Sequence, residues 1–388
     1  MTSIDEISVP ALVVDLNILK NNANRMLSNV KALSDEFQGK IKFRAHVKTL
    51  KCTQVTRLQM GAGNSKWEGL TGRVVCSTLE EIRQCRVLVE EGLVTDLIYG
   101  VPPGPSKRQE LEDLQKQFKL LGGARLHLLV DNPDQLWDGR DPELSSFFVK
   151  IDADDHRAGT TTTQKAFEQL ISQPGLAGFY AHAGNSYSAK TPAEAEVHLL
   201  RELKAVQEAS KATPNPQNLI LSVGATPTAH VTGPSLSEET RKLIDTMQGE
   251  IEIHAGNFVC LDLQQVSTSL APIDHIASTI LSEVVSYYPE RNEYLISSGV
   301  LALAREPAGS KFPGIAHIKG NDEWYVSRVS QEHGILSPLK EGARNSFRIG
   351  DKIELYPQHA CITSSLFNKY YVVQDNLVVD EWIPWRGW

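Results

Sequence analysis

The sequence predicts a mixed α/β protein, an N-terminal parallel (β/α)8 TIM-type barrel followed by a C-terminal antiparallel β domain. Three observations lead there. From Lys42 to His254 short apolar stretches alternate with helix-periodic ones eight times, at a repeat of roughly 30 residues, which is the signature of a closed parallel barrel. From about residue 270 onward the texture changes to β-branched and aromatic runs, ILSEVVSYY, EYLIS, EWYVSRV, KIELYP, YYVV and LVVDEWI, separated by Gly, Pro, Asn and Asp. The length of 388 residues at 41% hydrophobic content is enough for two domains. The barrel is assigned to 18–262, and the β domain to 1–17 with 263–388.

In chain order, ALVVDLN after Pro10 reads as a strand and Leu19 to Leu33 as a helix. That first strand is assigned to the β domain, since a barrel beginning at Lys42 has no place for a ninth. Barrel strands are expected at Lys42 to Lys48, Arg73 to Cys76, Asp96 to Val101, Arg125 to Val130, Phe147 to Asp152, Leu176 to His182, Asn218 to Val223 and Glu250 to His254. Helices are expected at Thr53 to Met60, from Ser77 and Glu80 in capping-box spacing to Glu91, from near Pro105, and from Gln135 as a short piece. Others run from Thr163 to Ser172, Pro192 to Ala212 and Ser237 to Met247. Asp375 and Asn376 between two β runs predict a hairpin turn.

Composition excludes several classes of partner. A net charge of -8 and a pI near 5.8, with no lysine and arginine cluster, argue against nucleic acid and anionic membrane. The cysteines, Cys52, Cys76, Cys85, Cys260 and Cys361, contain no CxxC pair, which argues against a disulfide framework or a zinc knuckle. The opening MTSIDEISVP has acids and no apolar segment, and no run approaches a membrane span. These features place the protein in a reducing cytoplasm.

In this fold the site is built at the C-terminal ends of the strands. The first strand ends in FRAHVKTLKC, where Lys48 is positioned to enter a site and form a Schiff base with a carbonyl compound. The other ends carry Asp131, then Asp152, His156 and Arg157, then His182, Asn185 and Tyr187, then Ser222, Gly224 and Thr226, and finally His254, Gly256 and Asn257. LSVGATPT and HAGN put small residues where backbone N–H groups can approach a phosphate, or else are two tight turns. A lysine aldehyde anchor with a phosphate site suggests pyridoxal phosphate. Arg157 would then face the phenolic oxygen of the ring, the alternative being a salt bridge to Asp152 or Asp154. In the β domain, YPQHACIT holds His359 and Cys361 one residue apart, on one face if the stretch is a strand. Imidazole and thiolate suit zinc, the alternative being a core cysteine beside a surface histidine.

The ordered motifs VPALVVDLNILKNN, RAHVKTLKC, DADDHRAGT, GFYAHAGNSY, GATPTAH, EIHAGNF and YPQHACIT resemble the fold-type III pyridoxal phosphate enzymes. Within them they are similar to the eukaryotic-type D-serine dehydratases, relatives of the D-threonine aldolases. The resemblance implies that Lys48 holds the cofactor covalently, and that Tyr180, Tyr187, Thr226, Gly256 and Asn257 surround it. It further implies that His359 and Cys361 bind zinc, and that the protein works as a head-to-tail homodimer on D-3-hydroxy amino acids. The family's aldolases show His and Asp at that metal spacing, so Cys361 points to the dehydratase branch. Cleavage of D-threonine by an aldolase, and a non-catalytic pyridoxal phosphate carrier, are the competing readings. Carriers lack a β domain.

Overall fold

A short strand, β1 (Ala11–Asp15), and the helix Leu16–Glu36 precede eight strands that close on one another. These are β2 (Ile41–His46), β3 (Arg73–Cys76), β4 (Asp96–Tyr99), β5 (Arg125–Val130), β6 (Phe147–Ile151), β7 (Leu176–Ala181), β8 (Ile220–Val223) and β9 (Glu250–Ala255). Each pairs in parallel with the next, and β9 returns to β2 with Ile41 beside Ile251. The computed structural model describes residues 2–306, 311–344 and 346–388. They divide into two units, one of 23–258 with 387–388 and one of 2–22 with the described residues between 259 and 386. No described helix is long and apolar enough to cross a membrane.

Strands in a parallel barrel are buried on both faces, so they read as nearly continuous apolar runs. FFVKI of β6 is buried throughout. What the apolar reading does not foresee is charge inside the barrel. Arg44 of β2 is fully buried. Its Nε donates to Glu252 Oε2 at 2.6 Å, and its Nη1 donates to Asp96 Oδ1 at 2.7 Å and to the Val74 carbonyl at 3.1 Å. Arg73 donates to the other oxygen of Glu252 at 2.9 Å. Asp96 in turn accepts from His127 Nε2 at 3.0 Å, and Ser146 donates to His127 Nδ1 at 2.7 Å. Burial works against the Asp96 carboxylate, but Arg44 and His127 hold its pKa far below the usual range.

The helices differ from expectation where local hydrogen bonds win. After β5 there is no α-helix from Gln135, only the 3-10 turn Pro133–Gln135. Gln135 Oε1 folds back onto the Asp131 and Asn132 amides at 2.8 and 3.2 Å, which closes the turn. The capping box after β3 is shifted by one residue. Thr78 accepts from the Glu81 amide and Glu81 from the Ser77 amide, and the helix breaks at Cys85 into Leu79–Gln84 and Arg86–Glu90. A short helix, Thr226–His230, lies in a stretch read only as a turn.

The second unit continues with β10 (Ser278–Tyr288), β11 (Glu293–Ile296), β12 (Ala316–Ile318), β13 (Trp324–Val329), β14 (Gly334–Pro338), β15 (Lys352–Pro357), β16 (Tyr370–Gln374) and β17 (Leu377–Trp382). The order β10-β15-β12-β13-β14-β11 closes because β11 also pairs with β10. Trp324, Tyr294 and Phe347 pack edge-on inside that ring. β1 lies between β10, to which it is antiparallel, and β16, to which it is parallel. The β16–β17 hairpin turns on Asp375 and Asn376, both at positive φ, as a primed two-residue turn requires.

Removing one partner of a buried ion network leaves the other charge uncompensated in a medium that cannot solvate it. Glu252→Ala is expected to lower unfolding stability by about 3–5 kcal/mol, read as the drop in the urea midpoint. An unchanged midpoint would show that the Arg44 network contributes nothing.

Candidate active site

The barrel mouth is built directly above the Arg44 layer. Strand register places Lys150 beside Tyr180 and Tyr180 beside Ser222. The Tyr180 and His254 rings stack at 4.1 Å and 9°. Tyr180 shares a hydrogen bond of 2.9 Å with His46 Nε2, and Ser222 one of 3.0 Å with His254 Nδ1. His182 Nδ1 lies 2.7 Å from the Gly224 carbonyl. A carbonyl only accepts, so Nδ1 carries the proton and Nε2 keeps a lone pair.

Lys48 sits two residues beyond the end of β2, in the turn after His46 and partly exposed. Its positive charge, with that of Arg157, bears on both His46 and His182. Burial first, and these cations second, depress both imidazoles well below the usual histidine range. His254 is depressed by burial and by His46. Burial raises the Tyr180 phenol, against the pull of Arg157 and Arg44. The mouth is therefore a set of neutral, buried hydrogen-bonding rings ringed by the cations of Lys48, Lys150 and Arg157.

Arg157 is exposed and forms no ion pair among the described residues. The salt-bridge alternative is not what the structure shows, because Asp152 is committed elsewhere. Its Oδ1 accepts the Asp155 and His156 amides, each at 3.1 Å, and its Oδ2 faces His156 Nδ1 at 2.9 Å. Asp154 and His156 stand at positive φ, a conformation that costs about 1 kcal/mol or more for such residues and clusters at functional sites. Asp131 binds the Gly159 amide at 3.0 Å from the far side of the same loop. Thus Asp131, Asp152 and His156 shape the loop that presents Arg157.

The glycine-bearing turns are closely packed. A Cβ on Gly224 would lie 2.1 Å from the His254 carbonyl, and one on Gly256 would lie 2.8 Å from His46 Cβ. Gln59 Nε2 ties the two strand ends by donating to the His46 and Gly256 carbonyls at 3.2 and 3.3 Å. Thr226 and Asn257 are buried at these turns. Tyr187 and Asn185 lie in the 3-10 turn Gly184–Ser188 after β7, and Asn185 donates to the Asp154 carbonyl at 3.3 Å. Sequence reasoning missed Lys150, a buried amine with no hydrogen-bond partner, and Glu202, a buried carboxyl on the helix Pro192–Lys211. A lone lysine inside the apolar run FFVKI was the signal for the first; nothing local marks the second.

In the other unit, His359 and Cys361 are not on a strand. β15 ends at Pro357, His359 caps the helix Ala360–Ser364, and Cys361 lies in its first turn. The two side chains nevertheless touch. His359 Nδ1 is 3.3 Å from Glu306 Oε2, a carboxylate contact that orients the imidazole. Burial would lower His359, but Cys361, Asp262 and Glu306 push it up to about 9. No cluster of three His, Cys, Asp or Glu suited to a metal occurs among the described residues.

Barrel and β unit together make the alanine-racemase-like fold. The family model described as "Putative serine dehydratase domain" matches residues 277–373. The chain is 37% identical to a D-serine dehydratase of Schizosaccharomyces pombe, over 100% of this chain and 93% of that protein. It is 34% identical to a D-serine dehydratase of Saccharomyces cerevisiae, over 100% and 97%. The solved D-threo-3-hydroxyaspartate dehydratase of Delftia sp. HT23 superposes with a TM-score of 0.80 at 24% identity, over 100% of both chains. A cysteine-to-alanine variant of a D-threo-3-hydroxyaspartate dehydratase, solved in a metal-free form, superposes with the same TM-score of 0.80 at 24% identity. The chain belongs to the D-serine dehydratase family.

The electrostatics make a spectroscopic prediction. In nitrogen-15 spectra recorded at about pH 6, close to the ordinary histidine value, His46, His182 and His254 should be neutral, with the His182 proton on Nδ1. Exposed His156, raised by Asp152, should be mostly protonated. An imidazolium signal from His182 at that pH would refute the account of the mouth.

Proposed function

We propose that this chain is a lyase that uses pyridoxal phosphate and zinc to convert D-serine into pyruvate and ammonia. D-threonine and D-threo-3-hydroxyaspartate are further candidate substrates. The observation that carries the reading is the convergence at the barrel mouth of the Lys48 amine, the cation Arg157 and the neutral rings of His46, Tyr180 and His182. The names of the 37% and 34% identical relatives support the substrate.

The residues suit the cofactor. Lys48, Lys150 and Arg157 suit its anionic oxygens, and Lys150 Nζ is a buried donor without a partner. The turns at Gly224 and Gly256 have no room for a Cβ, so backbone lies at the strand ends where a phosphate would be held. Lys48 would hold the aldehyde, Arg157 the phenolic oxygen, and Tyr180, Tyr187, Thr226, Gly256 and Asn257 the remaining contacts. His359 and Cys361 offer zinc an imidazole and a thiolate and leave positions open, a donor set that favours zinc over harder cations.

When bound, pyridoxal phosphate supplies an electron sink and zinc a Lewis acid for a departing hydroxyl. Lys48, which would hold the aldehyde of the bound cofactor, would be the base that takes the α-proton. His182 and His46, kept neutral by their surroundings, present uncharged hydrogen-bonding groups near that amine. Loss of the β-hydroxyl and hydrolysis of the resulting enamine yield pyruvate and ammonia.

Lys48→Ala should abolish borohydride fixation of the cofactor to the chain and reduce pyruvate formation from D-serine by about a thousandfold or more, the scale of losing a general base. His359→Ala and Cys361→Ala should lose bound zinc and dehydration together. Incubation with D-serine, D-threonine and D-threo-3-hydroxyaspartate, with and without zinc, identifies the substrate. Glycine and acetaldehyde from D-threonine would replace the dehydratase reading with an aldolase. An unchanged rate after chelation would remove zinc from it.

A further inference from the structure

The helix Pro192–Lys211 packs behind β7 and β8 and sends one carboxyl inward. Glu202 is fully buried. Its Oε1 accepts the Ala183 amide at 2.6 Å, and the Gly224 amide and Thr228 hydroxyl also stabilise its charged form. Ala183 follows His182 at the end of β7, and Gly224 follows the end of β8. The same two turns are joined from the barrel side by His182 Nδ1, which donates to the Gly224 carbonyl at 2.7 Å. The Gly224 carbonyl is thus held by the His182 imidazole while Glu202 holds the Ala183 amide next to that imidazole, and the His254 backbone leaves no room for a Cβ on Gly224. Nothing in the chemistry proposed above uses Glu202.

We propose that Glu202 is a positioning residue that ties the turn after β7 to the phosphate-binding turn at Gly224 after β8, and that its neutral form is the one compatible with a bound phosphate. The inference rests on the pyridoxal phosphate reading of the barrel mouth. A carboxylate beneath those turns would repel a phosphate dianion across an interior that screens poorly, whereas a neutral carboxyl keeps the amide contact without the repulsion. Burial pushes the Glu202 carboxyl up to about 8, against the amides of Ala183 and Gly224, the Thr228 hydroxyl and the Lys150 cation. The ionisable groups facing it from neighbouring elements are Lys150 on β6, the Tyr180 phenol on β7, whose own pKa it raises, and His182 beside the amide it holds. Lys204 and Glu239 pair on the outer, exposed side of the helix. Because the folded value lies above the ordinary 4.5, the neutral form persists below about 8 and is lost as pH rises through it.

The test compares two probes on apoprotein. Pyridoxal phosphate and phosphate-free pyridoxal share the Lys48 chemistry, so the ratio of their dissociation constants isolates the phosphate contribution. The phosphate is already a dianion throughout the range, its second pKa being about 6. Between about pH 7 and pH 9 the wild-type preference for the phosphorylated probe should fall by about tenfold, one unit of titration above the Glu202 value. Glu202→Gln should bind both probes, fold normally and show a flat ratio. Glu202→Ala should lose phosphate preference at every pH. A flat wild-type ratio, or a Glu202→Gln protein with the wild-type slope, would overturn the proposal. If wild type binds neither probe, the cofactor reading itself fails, which is a different outcome.

Discussion

The interaction on which the barrel site depends is the buried contact of Arg44 with Glu252 and Asp96. An unpaired guanidinium at that depth would cost several kcal/mol in lost hydration, and paired ions inside a protein frequently do no better than break even against apolar side chains. The network is therefore poorly explained as a source of stability alone. It forms the floor beneath the His46, Tyr180 and His254 layer. Arg44 shares its register with His254, and its charge contributes to keeping His46 and His254 neutral. Arginine is suited to this place because its planar fork reaches carboxylates on two different strands at once.

From that floor upward the barrel changes character in steps. Ionic contacts give way to neutral aromatic and imidazole groups, and these to cations at the rim. An anionic ligand entering from the rim meets attraction first and then uncharged donors and acceptors whose protonation is settled by burial. Preorganised dipoles and donors in a dry site are worth more than the same groups in water because they need not reorient when charge moves. The strained loop at Asp154 and His156 belongs to the same scheme, since Asp131 and Asp152 hold it from both sides.

Much of this was legible in the sequence, and the reasons it stopped are physical. Strand positions such as Arg73 to Cys76 and Arg125 to Val130 were readable because periodicity and β-branched content are local. Lys48 stood out because it breaks an apolar pattern at a strand end. Lys150 was hidden in plain view, as a charged residue in a buried run has no meaning until its neighbours across the sheet are known. Glu202 looks like any helical glutamate in RELKAV. Its burial follows from the helix packing on β7 and β8, a relation between residues far apart in the chain. The strand reading of His359 and Cys361 failed because Pro357 ends β15 and the chain folds into a single helical turn. The side chains still met, His359 from the extended cap position and Cys361 from the first turn of the helix.

The placement of β1 has a bearing on synthesis. Strands β2 to β9 form a continuous segment whose pairing partners are complete once Ala255 has been made. β1, although it is made first, lies between β10 and β16, so its edge stays unsatisfied until nearly the whole chain exists. During translation the barrel has what it needs to close while the β unit does not, and an exposed strand edge invites wrong pairing. The brevity of β1, five residues, limits that exposure on the ribosome.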